Sequence, residues 1–174
     1  MATVKVDDTL PSGTFSYIPW TPQLTDKLAC GIPISLNTDE WKGKKVIIIS
    51  VPGAFTPTCH ANHLPPYLKK YEEFKAKGVD VIVVIAANDP FVMSGWGRFE
   101  GLEDKILTLT DTNAAWSKSL GLQLDLTEKG FGIRTGRFAI IVDDLIIKYI
   151  GAEPGPGVTV SGADAVLAAL QDQK

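Results

Sequence analysis

Two runs of β-branched residues constrain the fold of this chain more than any other feature. The first is Val46-Ile-Ile-Ile49 and the second is Val79-Asp-Val-Ile-Val-Val-Ile85. Near-continuous apolar runs of this length are typical of strands that are buried on both faces, as in parallel sheets. The segment between them has apolar residues at helical spacing, which are Leu64, Leu68, Tyr71 and Phe74. The pattern predicts a βαβ unit.

The connecting helix is expected to run from about Thr58 to Lys77. Pro65 and Pro66 should kink or interrupt it, because proline lacks the backbone N–H and clashes with the preceding turn. Gly78 follows at the position where a left-handed cap is favoured, and it should end the helix.

The rest of the chain continues the alternation of strands and helices. Further strands are predicted at 106–109, 137–142 and 145–150, the last two as a hairpin turning at Asp143-Asp144. Further helices are predicted from Asn88, from Asp111 or Thr112 to Leu120, and from Ser161 to Leu170. Residues 1–20 are expected to be extended with one edge strand, residues 21–45 to be polar and irregular, and residues 125–132 to be a polar segment. This order predicts one α/β domain over residues 1–174, with a mixed sheet, flanking helices and an N-terminal extension.

Composition excludes several classes of function. The net charge of -3 and the pI of about 5.4 give no electrostatic reason to expect nucleic acid or anionic membrane as a partner. No apolar run approaches the roughly 20 residues that a membrane-spanning helix needs. Two cysteines, Cys30 and Cys59, are too few for a disulfide scaffold in a chain of 174 residues. A cytoplasmic location is the default expectation, since the sequence begins without a secretory or transit pattern.

Cys59 stands where the predicted first strand gives way to the predicted helix. Pro52 and Gly53 should end the strand, and Pro57 suits the first helical turn. A sulfur in that turn faces unpaired backbone N–H groups and the positive end of the helix dipole. Both favour the thiolate, which is the reactive form of cysteine. A free cysteine is also often an inert buried thiol, and the neighbouring residues decide between the two interpretations.

The spacing Pro52-x-x-x-Thr56-x-x-Cys59 resembles the active-site pattern of the peroxiredoxin family. The longer run Pro-Gly-Ala-Phe-Thr-Pro-Thr-Cys, followed by His63-Leu-Pro, resembles its type-5 branch. The resemblance implies a thioredoxin-like fold and reduction of hydroperoxides through a sulfenic acid at Cys59. It makes Thr56 the hydroxyl that orients the peroxide and Pro52 a shield for the sulfur. It makes His63 a structural or supporting group.

A permanent cation beside the sulfur would favour the thiolate and donate to the peroxide oxygens. The chain has three arginines to supply it. Arg137 is the first candidate, because an arginine at the start of an apolar strand resembles the active-site arginine of the family. Arg134 is the second. Arg98 is expected to support the rim of the site or a dimer contact.

The resemblance also bears on recycling and partners. Cys30 is the only other thiol, so it is the candidate resolving cysteine, and its upstream position resembles members that bridge to the other subunit. A homodimer with thioredoxin as reductant is therefore expected, and Pro57, Phe91 and Trp96 are candidate contact residues. No metal or organic cofactor is expected, because His60 and His63 form at most a weak ligand pair and the glycines at 95–101 miss the dinucleotide spacing.

Two alternatives remain open on sequence grounds. One is a glutathione- or glutaredoxin-dependent peroxidase in which Cys30 has no role. The other is a non-enzymatic thioredoxin-like module, a binding protein or holdase whose cysteine is incidental.

Overall fold

The computed structural model describes residues 2–171, which form a mixed central sheet with helices against it. The strands are β1 (Thr14–Tyr17), β2 (Ile34–Asn37), β3 (Lys45–Ser50), β4 (Val81–Ala86), β5 (Leu107–Thr110), β6 (Gln123–Leu126), β7 (Gly132–Thr135), β8 (Phe138–Asp143) and β9 (Ile146–Ala152). The helices are α1 (Leu64–Lys69), α2 (Tyr71–Ala76), α3 (Pro90–Glu100), α4 (Ala115–Ser119) and α5 (Ala163–Gln171). Residues Cys59–His63 form a π-helical segment, called the π segment below.

Seven strands form the central sheet in the order β2-β1-β5-β4-β3-β8-β9. Strand β3 pairs in parallel with β4, which pairs in parallel with β5, and β8 joins β3 antiparallel. The predicted βαβ unit and the C-terminal hairpin are both confirmed. The fold is the thioredoxin-like α/β fold that the sequence predicted, with β1 and β2 added by the N-terminal part.

Strand β3 lies in the middle of the protein and separates two apolar cores. Ile47 and Ile49 point to one core, which also holds the buried side chains of α1, α2, α3 and α5. Val46 and Ile48 point to the other, which contains Trp41 and the buried residues of α4 and the N-terminal part. Because successive side chains alternate between the faces of a strand, an unbroken β-branched run fills both cores at once. The loop that follows β3 is thereby held on a rigid support.

Three strands were missed or shifted by the sequence prediction. Strand β2 lies in the segment expected to be irregular, and β6 and β7 form a separate two-stranded sheet in or beside the polar segment 125–132. These strands have only four residues each, and most of their side chains are not buried. Short strands that are not buried lack the apolar pattern by which strands are recognised.

The helix predicted from Thr58 to Lys77 is interrupted, as expected, but its break lies after the two prolines and not at them. It consists of the π segment, α1 and α2, with a break at Lys70, whose φ and ψ are −101° and 15°. The expected end at Gly78 is confirmed by its left-handed φ of 80°. The hairpin turn is displaced by one residue, because Asp144 and Leu145 take the positive φ angles rather than Asp143 and Asp144.

No helix among residues 2–171 combines the length and the apolar character needed to cross a membrane.

Candidate active site

Cys59 is the first residue of the π segment, and its side chain is buried with 1% exposure. Pro57 and Thr58 already have helical conformation, so the helix begins where the sequence predicted. The Leu64 N–H bonds to the carbonyl of Cys59, five residues back, instead of four. Pro65, which follows, has no N–H to continue an ordinary α-helical ladder. Such π turns inside helices occur frequently at functional sites.

Arg137 is the cation beside the sulfur. Its Nη2 lies 3.3 Å from Cys59 Sγ. The sheet register explains the proximity: Phe138 at the start of β8 pairs with Ser50 at the end of β3, so Arg137 lies next to the loop that carries Cys59. Arg137 Nε is buried and makes no hydrogen bond within residues 2–171.

Arg134 lies close by but holds a different part of the site. Its Nε donates to the carbonyl of Phe131 at 2.8 Å, and its Nη1 donates to the carbonyl of Pro52 at 3.4 Å. Its guanidinium also stacks over the Phe131 ring. Arg137, and not Arg134, is therefore the arginine in contact with the thiol.

His63 lies behind Arg137 and is fully buried. Its Nδ1 is 3.1 Å from Arg137 Nη1, and its Nε2 is 2.9 Å from the carbonyl oxygen of Ser161. Burial is the main cause that lowers the pKa of His63 to about 4, and the positive charge of Arg137 lowers it further, against the Ser161 hydrogen bond and the charge of Glu153. The ring is therefore neutral at neutral pH.

The loop from Pro52 to Thr56 forms one wall of the site. Thr56 Oγ1 donates to the carbonyl of Gly53 at 2.7 Å, and as a hydroxyl it keeps lone pairs that can accept. The Ala54 N–H donates to Asn88 Oδ1 at 2.9 Å. Phe55 has a positive φ of 59°, an uncommon conformation for a bulky residue. The side chain of Asn88 thus holds a strained loop in place.

The structure places Cys30 in a different setting. It is exposed, lies outside the helices and strands, and is a free thiol like Cys59. Arg98 of α3 holds the segment that precedes it: Nη1 donates to the carbonyl of Ala29 at 3.0 Å and Nη2 to that of Asp26 at 2.7 Å. Arg98 therefore tethers the Cys30 segment.

One of the candidate dimer-contact residues is corrected by the structure. Trp96 has no exposed surface, and its Nε1 approaches His60 Nδ1 at 3.2 Å inside the subunit. It packs on the inner face of α3, so it cannot contribute directly to a contact between subunits. Pro57 and Phe91 are exposed, and Phe55 and Phe99 join them as exposed aromatic side chains.

Three residues that support the site were missed from the sequence. Asn88 holds the loop before Cys59, and Ser161 and Glu153 lie behind His63. Asn88 was interpreted only as the start of a helix, which begins at Pro90 with Asp89 as its cap. Nothing in the spacing of residues 153–161 indicated a contact with the first half of the chain.

Comparison with known proteins gives consistent matches over nearly the whole chain. The family model described as Redoxin matches residues 5–167. A putative peroxisomal peroxiredoxin of Lipomyces kononenkoae is 50% identical over 158 residues, 90% of this chain and 94% of that protein. Reduced Prx3 of Vibrio vulnificus in complex with hydrogen peroxide superposes with a TM-score of 0.85 at 37% identity, covering 97% and 99% of the two chains. Peroxiredoxin 5 of Alvinella pompejana superposes with a TM-score of 0.80 at 33% identity, covering 98% and 99%.

Proposed function

Because this chain belongs to the peroxiredoxin family, whose members are thiol peroxidases, we propose that it reduces hydrogen peroxide and alkyl hydroperoxides at Cys59. One observation points to Cys59 as the reactive residue: Arg137 Nη2 lies 3.3 Å from the sulfur of this buried cysteine, which begins the helical segment after the central strand β3. A guanidinium at that distance favours the thiolate and can stabilise negative charge as it develops. The Vibrio vulnificus Prx3 complex, in which a close structural relative holds hydrogen peroxide, supports the substrate.

In the proposed reaction the Cys59 thiolate attacks the terminal peroxide oxygen. The O–O bond breaks, the sulfur becomes a sulfenic acid, and the hydroxide or alkoxide that leaves takes up a proton as water or alcohol. Arg137 stabilises the thiolate and the departing oxygen. Thr56 orients the peroxide through its free lone pairs, and Pro52 shields the sulfur from water.

Recycling is proposed to use Cys30 of the other subunit. Cys30 is exposed, and its neighbours Leu28 and Ile32 are 90% and 80% exposed. Exposed apolar side chains of this kind suit a segment that contacts another subunit. Cys59 must leave its buried position to bond with it, since the Cα atoms of a disulfide lie about 4.4–6.8 Å apart. Local opening of the π segment would release it. Thioredoxin would then reduce the intersubunit disulfide of the homodimer.

The reductant is tested by peroxide consumption coupled either to thioredoxin with its reductase or to glutathione with glutaredoxin. We expect turnover with thioredoxin and its loss in Cys30→Ser, which should still consume about one peroxide per subunit, as a single sulfenate step requires. Undiminished turnover of Cys30→Ser with glutathione would favour the one-cysteine alternative. No peroxide consumption with either system would favour the non-enzymatic module.

The disulfide is tested on a non-reducing gel. Peroxide-treated protein should run as a linked dimer that dithiothreitol returns to monomer, and Cys30→Ser should stay monomeric throughout. An oxidised wild-type protein that remains monomeric would exclude the intersubunit bond. The proposed location is the cytoplasm, and because the Lipomyces relative carries the word peroxisomal in its name, imaging of a fluorescent fusion should include a peroxisomal marker.

A further inference from the structure

We propose that His63 is a positioning residue, held in one tautomer by a distant loop, that aims Arg137 at the sulfur of Cys59. The loop is residues 153–161, called the Glu153 loop below. The inference deepens the proposed function, because it concerns the arginine that activates the proposed nucleophile.

The two partners of the imidazole require the same tautomer. A carbonyl oxygen can only accept, so His63 Nε2 must carry the proton that is donated to Ser161. A guanidinium can only donate, so His63 Nδ1 must present its lone pair to Arg137 Nη1. The neutral Nε2–H form satisfies both contacts, and the protonated ring would set two donors against each other. The ring is thus an acceptor for Arg137 only while Ser161 holds its other side.

The Glu153 loop fixes the carbonyl that selects this tautomer. Glu153 Oε1 accepts from the N–H and the hydroxyl of Ser161, both at 2.7 Å, and from the N–H of Thr159 at 2.7 Å. Glu153 Oε2 accepts from the Thr159 hydroxyl at 2.6 Å. Burial alone would raise the pKa of Glu153, but these hydrogen bonds from Thr159 and Ser161 outweigh it and lower the pKa. The carboxylate therefore holds Ser161 as a fixed brace behind the histidine.

The contact between His63 and Arg137 determines which guanidinium nitrogen faces the sulfur of Cys59. Within residues 2–171 the side chain of Arg137 has two partners, His63 at Nη1 and Cys59 at Nη2. With Nη1 held by the ring, rotation of the planar guanidinium is restricted and Nη2 stays at the thiol. Without the ring, only the weaker contact to sulfur would orient the group.

Tyr67 provides a matched control for a purely structural role. Tyr67 is fully buried, and its hydroxyl donates at 2.5 Å to the same Ser161 carbonyl and not to Arg137. Tyr67→Phe therefore removes a buried hydrogen bond to the brace while leaving the His63 contacts in place. Any effect that comes only from weakened packing should appear in this variant as well.

The experiment measures the pH profile of Cys59 alkylation by iodoacetamide in a Cys30→Ser background, so that Cys59 is the only thiol. We expect His63→Leu to move the midpoint upward by about 1 pH unit, the lower end of the effect of a nearby opposite charge. His63→Asn, whose Oδ1 can replace Nδ1 as acceptor, should recover at least half of that shift. Glu153→Ala, which changes a less buried residue far along the chain from Cys59, should move the midpoint in the same direction by a smaller amount. Tyr67→Phe should leave it unchanged.

The inference is overturned if His63→Leu and Tyr67→Phe move the midpoint equally, or if the folded Glu153→Ala variant leaves it at the wild-type value. Alkylation needs no peroxide, so these outcomes are independent of the proposed peroxidase activity. The proposed function fails separately, through peroxide consumption that persists in Cys59→Ser.

Discussion

The two cysteines lie in regions of opposite physical character. Cys59 is 1% exposed, begins a helical segment and has a guanidinium 3.3 Å from its sulfur. Cys30 is exposed, lies in a segment without regular structure, and is tethered through backbone carbonyls of neighbouring residues that accept from Arg98. The difference fits the two tasks proposed above: the sulfur proposed to react with a small molecule is enclosed beside a guanidinium, and the sulfur proposed to reach another sulfur is accessible.

The two regions also differ in how their sequence constrains them. The Cys59 region depends on particular side chains, because Arg137, His63 and Asn88 each make contacts that few other residues could reproduce. The Cys30 segment is held by main-chain acceptors, which every residue provides. Substitutions should therefore affect the first region strongly and specifically, and the second mainly through the thiol itself.

The largest expected effect is that of Cys59→Ser, which removes the nucleophile and should lower peroxide consumption by about 10³-fold or more. Serine is accepted at a helix start, so far-ultraviolet circular dichroism should match the wild type. Stopped-flow peroxide consumption makes the measurement, and Cys30→Ser is the control, with its first turnover preserved. If Cys59→Ser retained a substantial rate of peroxide consumption, the different environments of the two cysteines would not reflect different roles in catalysis.

A smaller effect separates the two arginines of the Cys59 region. Arg137→Met should slow the reaction with peroxide by about 10²-fold, the cost of removing one donor to developing charge. Arg134→Met removes contacts to the Phe131 and Pro52 carbonyls and should cost much less, because it leaves the thiol contact intact. Single-turnover rates of sulfenic acid formation test both. A larger loss in Arg134→Met than in Arg137→Met would show that Arg134, and not Arg137, activates the thiol.

The sequence predicted the sheet around Cys59 better than its edges. Val46–Ile49 and Val79–Ile85 predicted β3 and β4 because a strand buried on both faces must be apolar at every position. Strands β2, β6 and β7 are short and few of their side chains are buried, so polar residues are tolerated there and the apolar pattern of a strand is lost. The helix after Cys59 was predicted with an interruption at its prolines, whereas a π segment precedes the prolines and the break follows them at Lys70. Neither proline specifies a π segment by itself.

The site could be predicted from the sequence only where its residues lie close together along the chain. Pro52, Thr56 and Cys59 belong to one local motif, so their proximity follows from spacing alone. Arg137 was named through resemblance, and its contact with the thiol depends on the register that pairs Phe138 with Ser50. Ser161 contacts His63 through its backbone carbonyl, which any residue could supply, and the Glu153 carboxylate bonds to Ser161 and Thr159, so no residue type in the sequence indicated either contact. Contacts of this kind are visible only when the fold brings distant segments together.

The last prediction tests whether the Cys59 region carries a built-in sensitivity to acid. The folded protein lowers the pKa of His63 to about 4, whereas an imidazole in the unfolded chain has a pKa of about 6.5. Between these values the unfolded chain binds the extra proton and the folded chain does not, so the free energy of unfolding falls as pH falls through this window. The loss should reach roughly 3 kcal/mol once pH 4 is reached.

Urea unfolding at pH 7 and at several values down to pH 4 measures this loss, and His63→Asn serves as the control, because this part of the pH dependence should disappear with the imidazole. Glu153 has a lowered pKa and adds its own loss from the usual range of a carboxyl downward, so the upper part of the His63 window is free of it and the two losses overlap near pH 4. A wild-type protein whose stability stays constant from pH 6.5 to 4.5 would mean that His63 accepts a proton in the folded state, which the Arg137 and Ser161 contacts oppose.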